Sequence, residues 1–163
     1  MSRVYISDTN ILIDFRNAGL LEQMFRLPFV FCCTEFVLRE LQDFAHDELL
    51  ARGLLIETMD GQSIVRLYEL RTEHNNSSLA DVSCYLLAKQ TGNPLLTGDG
   101  QLRRQASSDG LQVHGALWLL DSMVEHGVVH SGEAAEALEL MISQGSRFPE
   151  AACHSLLSAW RTP

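Results

Sequence analysis

The sequence predicts an α/β fold, with three layers (α/β/α) around a central parallel sheet of about five strands and extra helices at the C-terminal end. Three observations predict it. Short apolar runs recur along the first two thirds of the chain, each followed by a segment with helical apolar spacing. Strands alternating with helices imply a parallel sheet covered on both faces, joined by right-handed crossovers. From Ala116 onward the pattern is helical only.

The elements follow in order. Val4-Tyr-Ile, cut off by Ser7-Asp8, suits a buried strand feeding a loop. Residues 10–16 read as a helix with Ile11, Leu12 and Phe15 on one side. Gly19 interrupts it, and residues 20–27 read as a second short helix ending at Pro28. Residues 29–33 form the second strand, and Thr34 N-caps a helix whose apolar face is Phe36, Val37, Leu38, Leu41 and Phe44. Gly53 introduces a third strand at 54–58. A helix over 63–73 turns Ile64, Leu67, Tyr68 and Leu70 inward, and 74–78 is a loop ending in a cap. The helix over 79–90 packs through Val82, Tyr85, Leu86 and Ala88, with Gly92 as its C-terminal glycine. Residues 94–97 and 111–114 are the fourth and fifth strands, flanking a short helix at 101–107. Three helices close the chain: 116–125, 133–143 capped by Ser131, and 149–160 with proline in the first turn.

A chain of 163 residues normally folds as one domain. With 46% hydrophobic and 20% charged residues it is not a disordered chain. No apolar run approaches the ~20 residues a bilayer requires. The stretch Met1 to Asp8 has no signal-peptide core, so a soluble cytoplasmic protein with no membrane association is expected. Cys32, Cys33, Cys84 and Cys153 lack CxxC spacing and read as buried thiols in a reducing compartment. Twelve basic against 21 acidic residues give a net charge of −9, which argues against holding nucleic acid by broad attraction. A nuclease stays open, because acidic side chains can themselves be the site once metal ions neutralise them. Lys89 is the only lysine, so phosphate contacts would fall mostly to arginine.

In an open parallel sheet, ligands bind beyond the carboxyl ends of the strands. Asp8 directly follows the first strand, Asp99 follows the fourth, Asp81 sits in the first turn of its helix, and Glu40 lies in the helix after the second strand. Four carboxylates can therefore converge on one edge. Two of them about 4 Å apart repel by roughly 4 kcal/mol at an effective dielectric near 20, so a fold keeps such a cluster only by protonating members or binding cations. Oxygen-only ligands favour Mg²⁺ or Mn²⁺, and the natural chemistry is phosphodiester hydrolysis. Each acid also has a plainer reading. Asp8 suits a helix N-cap, Glu40 shares a solvent-facing stripe with Asp43 and Asp47, Ser78-Leu-Ala-Asp81 fits a capping box, and Asp99 suits a turn.

The pattern resembles the PIN-domain family. The carriers are Ser7-Asp8-Thr9-Asn10-Ile-Leu-Ile-Asp, Val37-Leu-Arg-Glu40-Leu41, Leu79-Ala-Asp81-Val-Ser-Cys-Tyr-Leu-Leu-Ala88 and Leu95-Leu-Thr-Gly-Asp99-Gly-Gln-Leu102. The tail from Ala116 is similar to a longer branch of that family. The resemblance implies a PIN-like nuclease domain over 1–120, with a helical extension over 121–163 packed on it. It also implies a Mg²⁺- or Mn²⁺-dependent endoribonuclease, frequently the toxin of a VapBC-type toxin–antitoxin pair. RNA would be the substrate, with an antitoxin protein and a second copy of the chain as partners. Carried over by position, Asp8, Glu40, Asp81 and Asp99 are the catalytic and metal-binding acids, and Asn10 and Thr97 are polar supports. Glu35 is a rival to Glu40. Gly100 and Gln101 stand where some relatives carry a further acid, which leaves open a tightly held second metal.

Arg103 and Arg104, just beyond Asp99, suit substrate phosphates, or they only solubilise a short surface helix. His126 and His130 have metal-like spacing, but Gly127-Val-Val lies between them where the helix ends, and neither this pair nor Cys153-His154 is expected to be a metal site. Trp118, Leu119 and Leu120 suit packing against the sheet or a partner. A receiver domain, with Asp60 as phosphoacceptor, lacks its lysine after the fifth strand, where His114-Gly115 stand. A haloacid-dehalogenase-type phosphatase lacks its second acid, because Asn10 stands there. The alternative in a different class is a non-catalytic PIN-like domain that binds RNA or a protein.

Overall fold

Val4–Ser7 (β1), Val30–Thr34 (β2), Leu55–Glu57 (β3), Leu95–Leu96 (β4) and Val113–His114 (β5) form one parallel sheet in the order β3-β2-β1-β4-β5. The computed structural model describes residues 3–162. Met1 and Ser2, which begin the stretch without a signal-peptide core, lie outside those residues, as does Pro163. The helices are Thr9–Asn17 (α1), Leu21–Met24 (α2), Glu35–Glu40 (α3), His46–Ala51 (α4), Gly61–Glu73 (α5), Leu79–Thr91 (α6), Gly100–Ser108 (α7), Ala116–Glu125 (α8), Ser131–Ser143 (α9) and Glu150–Arg161 (α10). Among the described residues, no helix is long and apolar enough to cross a membrane.

The α/β class and the parallel five-stranded sheet are as the sequence predicts. From β1 the chain builds one way through β2 and β3, then returns to add β4 and β5 on the other side. The switch point therefore lies between β1 and β4, where open α/β sheets place their ligands. Asp8 and Asp99 follow those two strands. Ile6, Leu95 and Leu96 are fully buried there, so the strand ends are rigidly seated.

Helix α6 is the spine of one face. Every residue from Ala80 to Ala88 is buried, because α3, α5 and α7 pack around it while β1, β2 and β4 lie beneath. Ser78 caps it through its hydroxyl, and Gly92 ends it in the left-handed conformation (φ 76°) that glycine adopts without strain.

Four local expectations change. The helix after Thr34 is not continuous to Phe44, because α3 stops at Glu40 and a separate α4 follows. Leu41 leaves helical geometry (φ −86°, ψ 55°) with its side chain buried, and its carbonyl accepts from the Phe44 N–H (3.2 Å) and from the His46 ring (2.8 Å). The stripe of Glu40, Asp43 and Asp47 therefore does not exist. Tyr68 points outward (56% exposed), because Leu67 and Leu70 define the buried line of α5 and Tyr68 lies about 100° from Leu67. The segment over 20–27 is helical only in α2. Helix α9 starts at Ser131, preceded by His130, whose N–H donates to Glu133 (3.1 Å). The cap position thus belongs to His130.

Leu119, Leu120 and Met123 of α8 join the same core as the sheet, continued by Ala134, Leu138 and Met141 of α9 and Trp160 of α10. All four cysteines are buried and unpaired. Burial pushes the Cys32 and Cys33 thiols up to about 12, so they are protonated packing groups. Leu119→Ala at this seam is expected to cost about 2–5 kcal/mol, read from the urea midpoint.

Candidate active site

Asp8 is held by three donors. Its Oδ1 accepts from the Ile11 N–H (2.9 Å), capping α1, and its Oδ2 accepts from the Thr97 hydroxyl (2.7 Å) and the Gly98 N–H (3.3 Å). One oxygen of the same carboxylate thus caps α1, and the other is held at the end of β4. Asp8 is 1% exposed, and burial outweighs the three hydrogen bonds, lifting its carboxyl to about 6; the nearby Asp14 charge adds to this. The Thr97 hydroxyl also accepts from the Asp99 N–H (3.1 Å), so a single side chain links the ends of β1 and β4.

Asp99 repeats the arrangement. Its Oδ1 accepts from the Gln101 and Leu102 N–H groups (3.0 and 3.1 Å), capping α7, and its Oδ2 accepts from the Ser77 hydroxyl (2.6 Å). It is a helix cap rather than a plain turn residue. Asp81 lies one turn into α6, and its N–H donates to Ser78 Oγ (3.0 Å). Its carboxyl is pushed up to about 7, first by burial and then by the charges of Asp8, Asp99 and Glu40. Glu40, the last residue of α3, accepts from the Thr9 hydroxyl (2.9 Å), which draws it to the start of α1. Glu35 instead accepts from the Met59 N–H (3.4 Å), toward the β3 side. Asp60 caps α5 through Ser63 N–H (2.8 Å).

Asp81 and Asp99 line a crevice of about 510 Å³ together with Asn10, Asp14 and Arg147. Asn10 lines it without a hydrogen bond to any of the acids among the described residues. Arg103 crosses in front of Gly115, its Nη1 3.0 Å from where a Cβ there would lie, and lines an adjoining cavity. Arg104 folds over Gly100 instead and lines neither space.

Among the described residues, no three His, Cys, Asp or Glu side chains are grouped closely enough to cage a metal ion. The donor set is nonetheless all carboxylate oxygen, with two members whose burial and mutual repulsion disfavour ionisation. Mg²⁺ keeps several waters and is usually held by one or two carboxylates, so these residues fit such an ion and not an all-protein cage.

Sequence reasoning does not single out Asp14, Ser77 or Arg147. Asp14 stands one helical turn from Asn10, a spacing visible in the sequence. Ser77 and Arg147 carry no local signal, and reach the site only through the folding of loops distant in the chain.

A family model described as a PIN domain (DUF3368) matches residues 4–162. No curated protein matches the chain. Among solved structures, a PilT N-terminus domain protein from the archaeon Sulfolobus solfataricus is similar at 16% identity and TM-score 0.52, over 76% of this chain and 95% of that one. VapBC2 from Rickettsia felis, crystallised with a DNA fragment from its promoter, aligns at 18% identity and TM-score 0.44, over 69% of this chain and 98% of that one. With a family model spanning the chain from β1 to the end of α10, this chain belongs to the PIN-domain family.

Proposed function

We propose that the chain is a divalent-metal-dependent ribonuclease whose working edge carries Asp8, Glu40, Asp81 and Asp99. The observation that carries this reading is the junction of β1 and β4. Thr97 ties Asp8 to Asp99, the cap of α7, and Asp81 and Asp99 line the crevice beside it. A Mg²⁺ or Mn²⁺ ion held there would neutralise charge building on a scissile phosphate and supply Lewis acidity.

The chain's own residues do the rest. Asp8 and Asp99 each have one oxygen locked in a helix cap, so neither carboxylate can swing away. Thr97 donates to Asp8, Ser77 to Asp99 and Thr9 to Glu40, so three hydroxyls fix the orientation of three acids. Preorganised charge of this kind costs no reorganisation when the phosphate reacts. Arg103 stands where it can meet a neighbouring phosphate with two parallel N–H donors. The resemblance adds an antitoxin partner, a homodimer and a cytoplasmic setting to this reading.

The second reading is a PIN-like domain that binds RNA or protein without cutting it. One assay separates the two: a mixed single-stranded RNA pool incubated with Mn²⁺ or Mg²⁺. The nuclease reading expects cleavage that a chelator stops. An intact pool at every metal concentration selects the binding reading.

A further inference from the structure

The acidic crevice continues past the carboxylates. Asn10, Asp14, Gly98, Arg147 and Phe148 line both it and a second cavity of about 310 Å³, so the two adjoin along one trough. That volume is at the lower end of the ~300–1,000 Å³ typical of small-ligand clefts. The second cavity is mostly apolar, and its cationic groups are Arg103 and Arg147. Neither guanidinium takes part in an ion pair among the described residues, although the chain as a whole is acidic.

Trp118 forms a wall of this cavity, stacked on His114 with ring centroids 4.0 Å apart and planes 13° apart. Burial, with Arg103 and Arg3 nearby, holds the His114 ring below the usual histidine range, which keeps the wall uncharged at neutral pH. Arg147 comes from the loop between α9 and α10. The Ser146 hydroxyl donates to Asp14 Oδ1 (3.3 Å), pinning that loop to α1.

Building on the nuclease reading, we propose that this cavity seats one unstacked nucleotide of a single-stranded RNA beside the scissile phosphate. Arg147, at the junction of the two spaces, and Arg103 hold the flanking backbone phosphates. An aromatic, apolar wall beside two unpaired guanidinium groups matches the chemistry of a nucleotide, which presents a flat base and an anionic backbone. A base enters such a space only when it is out of a duplex. The C-terminal helices then have a defined role, because the loop they hold delivers Arg147 to the trough.

The test uses the whole chain in chelator, so that binding is read without turnover. A labelled short oligoribonucleotide and its abasic counterpart are titrated by fluorescence anisotropy over a range of salt. The base-bearing strand is expected to bind at least about fivefold more tightly than the abasic one. Arg147→Ala should weaken both and lower the salt slope by about 0.7, and Trp118→Leu should erase the preference for the base. Equal binding of the two strands with an unchanged salt slope in Arg147→Ala overturns the subsite, even if metal-dependent cleavage is intact. A base preference lost with Trp118 supports the subsite, even if no metal produces cleavage and the nuclease reading fails. If Trp118→Leu does not fold, the abasic comparison on the wild type and the Arg147→Ala slope decide. An acidic peptide that binds more tightly than RNA and depends on Arg147 also overturns it, in favour of a protein partner.

Discussion

Asp8→Asn is expected to lower metal-dependent RNA cleavage by at least about 100-fold while leaving the chain folded. The substitution removes the charge at the switch point but keeps the local structure, because asparagine caps a helix about as well as aspartate. Its carbonyl oxygen can still accept from the Ile11 N–H. The new amide faces the Thr97 hydroxyl, which can turn to accept, and the Gly98 N–H, which loses a partner already long at 3.3 Å. A lost buried hydrogen bond costs about 1–3 kcal/mol. Removal of a carboxylate that burial lifts to about 6 offsets part of this. Initial rates at saturating Mn²⁺, beside thermal unfolding of both proteins, make the comparison. A folded Asp8→Asn variant cutting at close to the wild-type rate would remove Asp8 from the chemistry.

In chelator, the chain is expected to lose stability as pH rises from about 5 to about 8. The folded state holds Asp8 at about 6 and Asp81 at about 7, against an ordinary 3.8, so over this range it binds more protons than the unfolded chain. The slope of unfolding free energy with pH is then negative. The contribution is fully present below the ordinary value and is lost as pH passes the raised ones. His114 works in the opposite sense, since its lowered proton affinity favours the folded state as pH rises. The informative quantity is therefore the difference from Asp81→Asn, which leaves His114 in place. That variant should be more stable than wild type at pH 8 by on the order of 2 kcal/mol. For a chain of this size that is a rise of roughly 4–8 °C in Tm. Millimolar Mn²⁺ should stabilise the wild type at pH 8 and have little effect on Asp81→Asn. If the two proteins show the same pH dependence in chelator, and metal moves neither, the acids are not electrostatically joined.

Much of the fold is legible along the chain because its signals are local. Thr34 and Ser78 announce helices through hydroxyls that reach only three residues ahead, and Gly92 ends α6 where a left-handed residue is needed. Strand-end positions for Asp8 and Asp99 follow from apolar runs that stop at a turn. How each of those two acids divides its oxygens is not legible there: one oxygen caps the following helix, and the other accepts from a hydroxyl on a separate segment.

What the sequence determined alone is the succession of strands and helices, and the side of the sheet on which the acids emerge, because chain direction and short-range hydrogen bonds decide both. The tertiary structure decided which groups meet across long separations. Thr97 reaches Asp8 over 89 positions and Ser146 reaches Asp14 over 132. Such contacts depend on packing between elements, and no periodicity within a single segment encodes them.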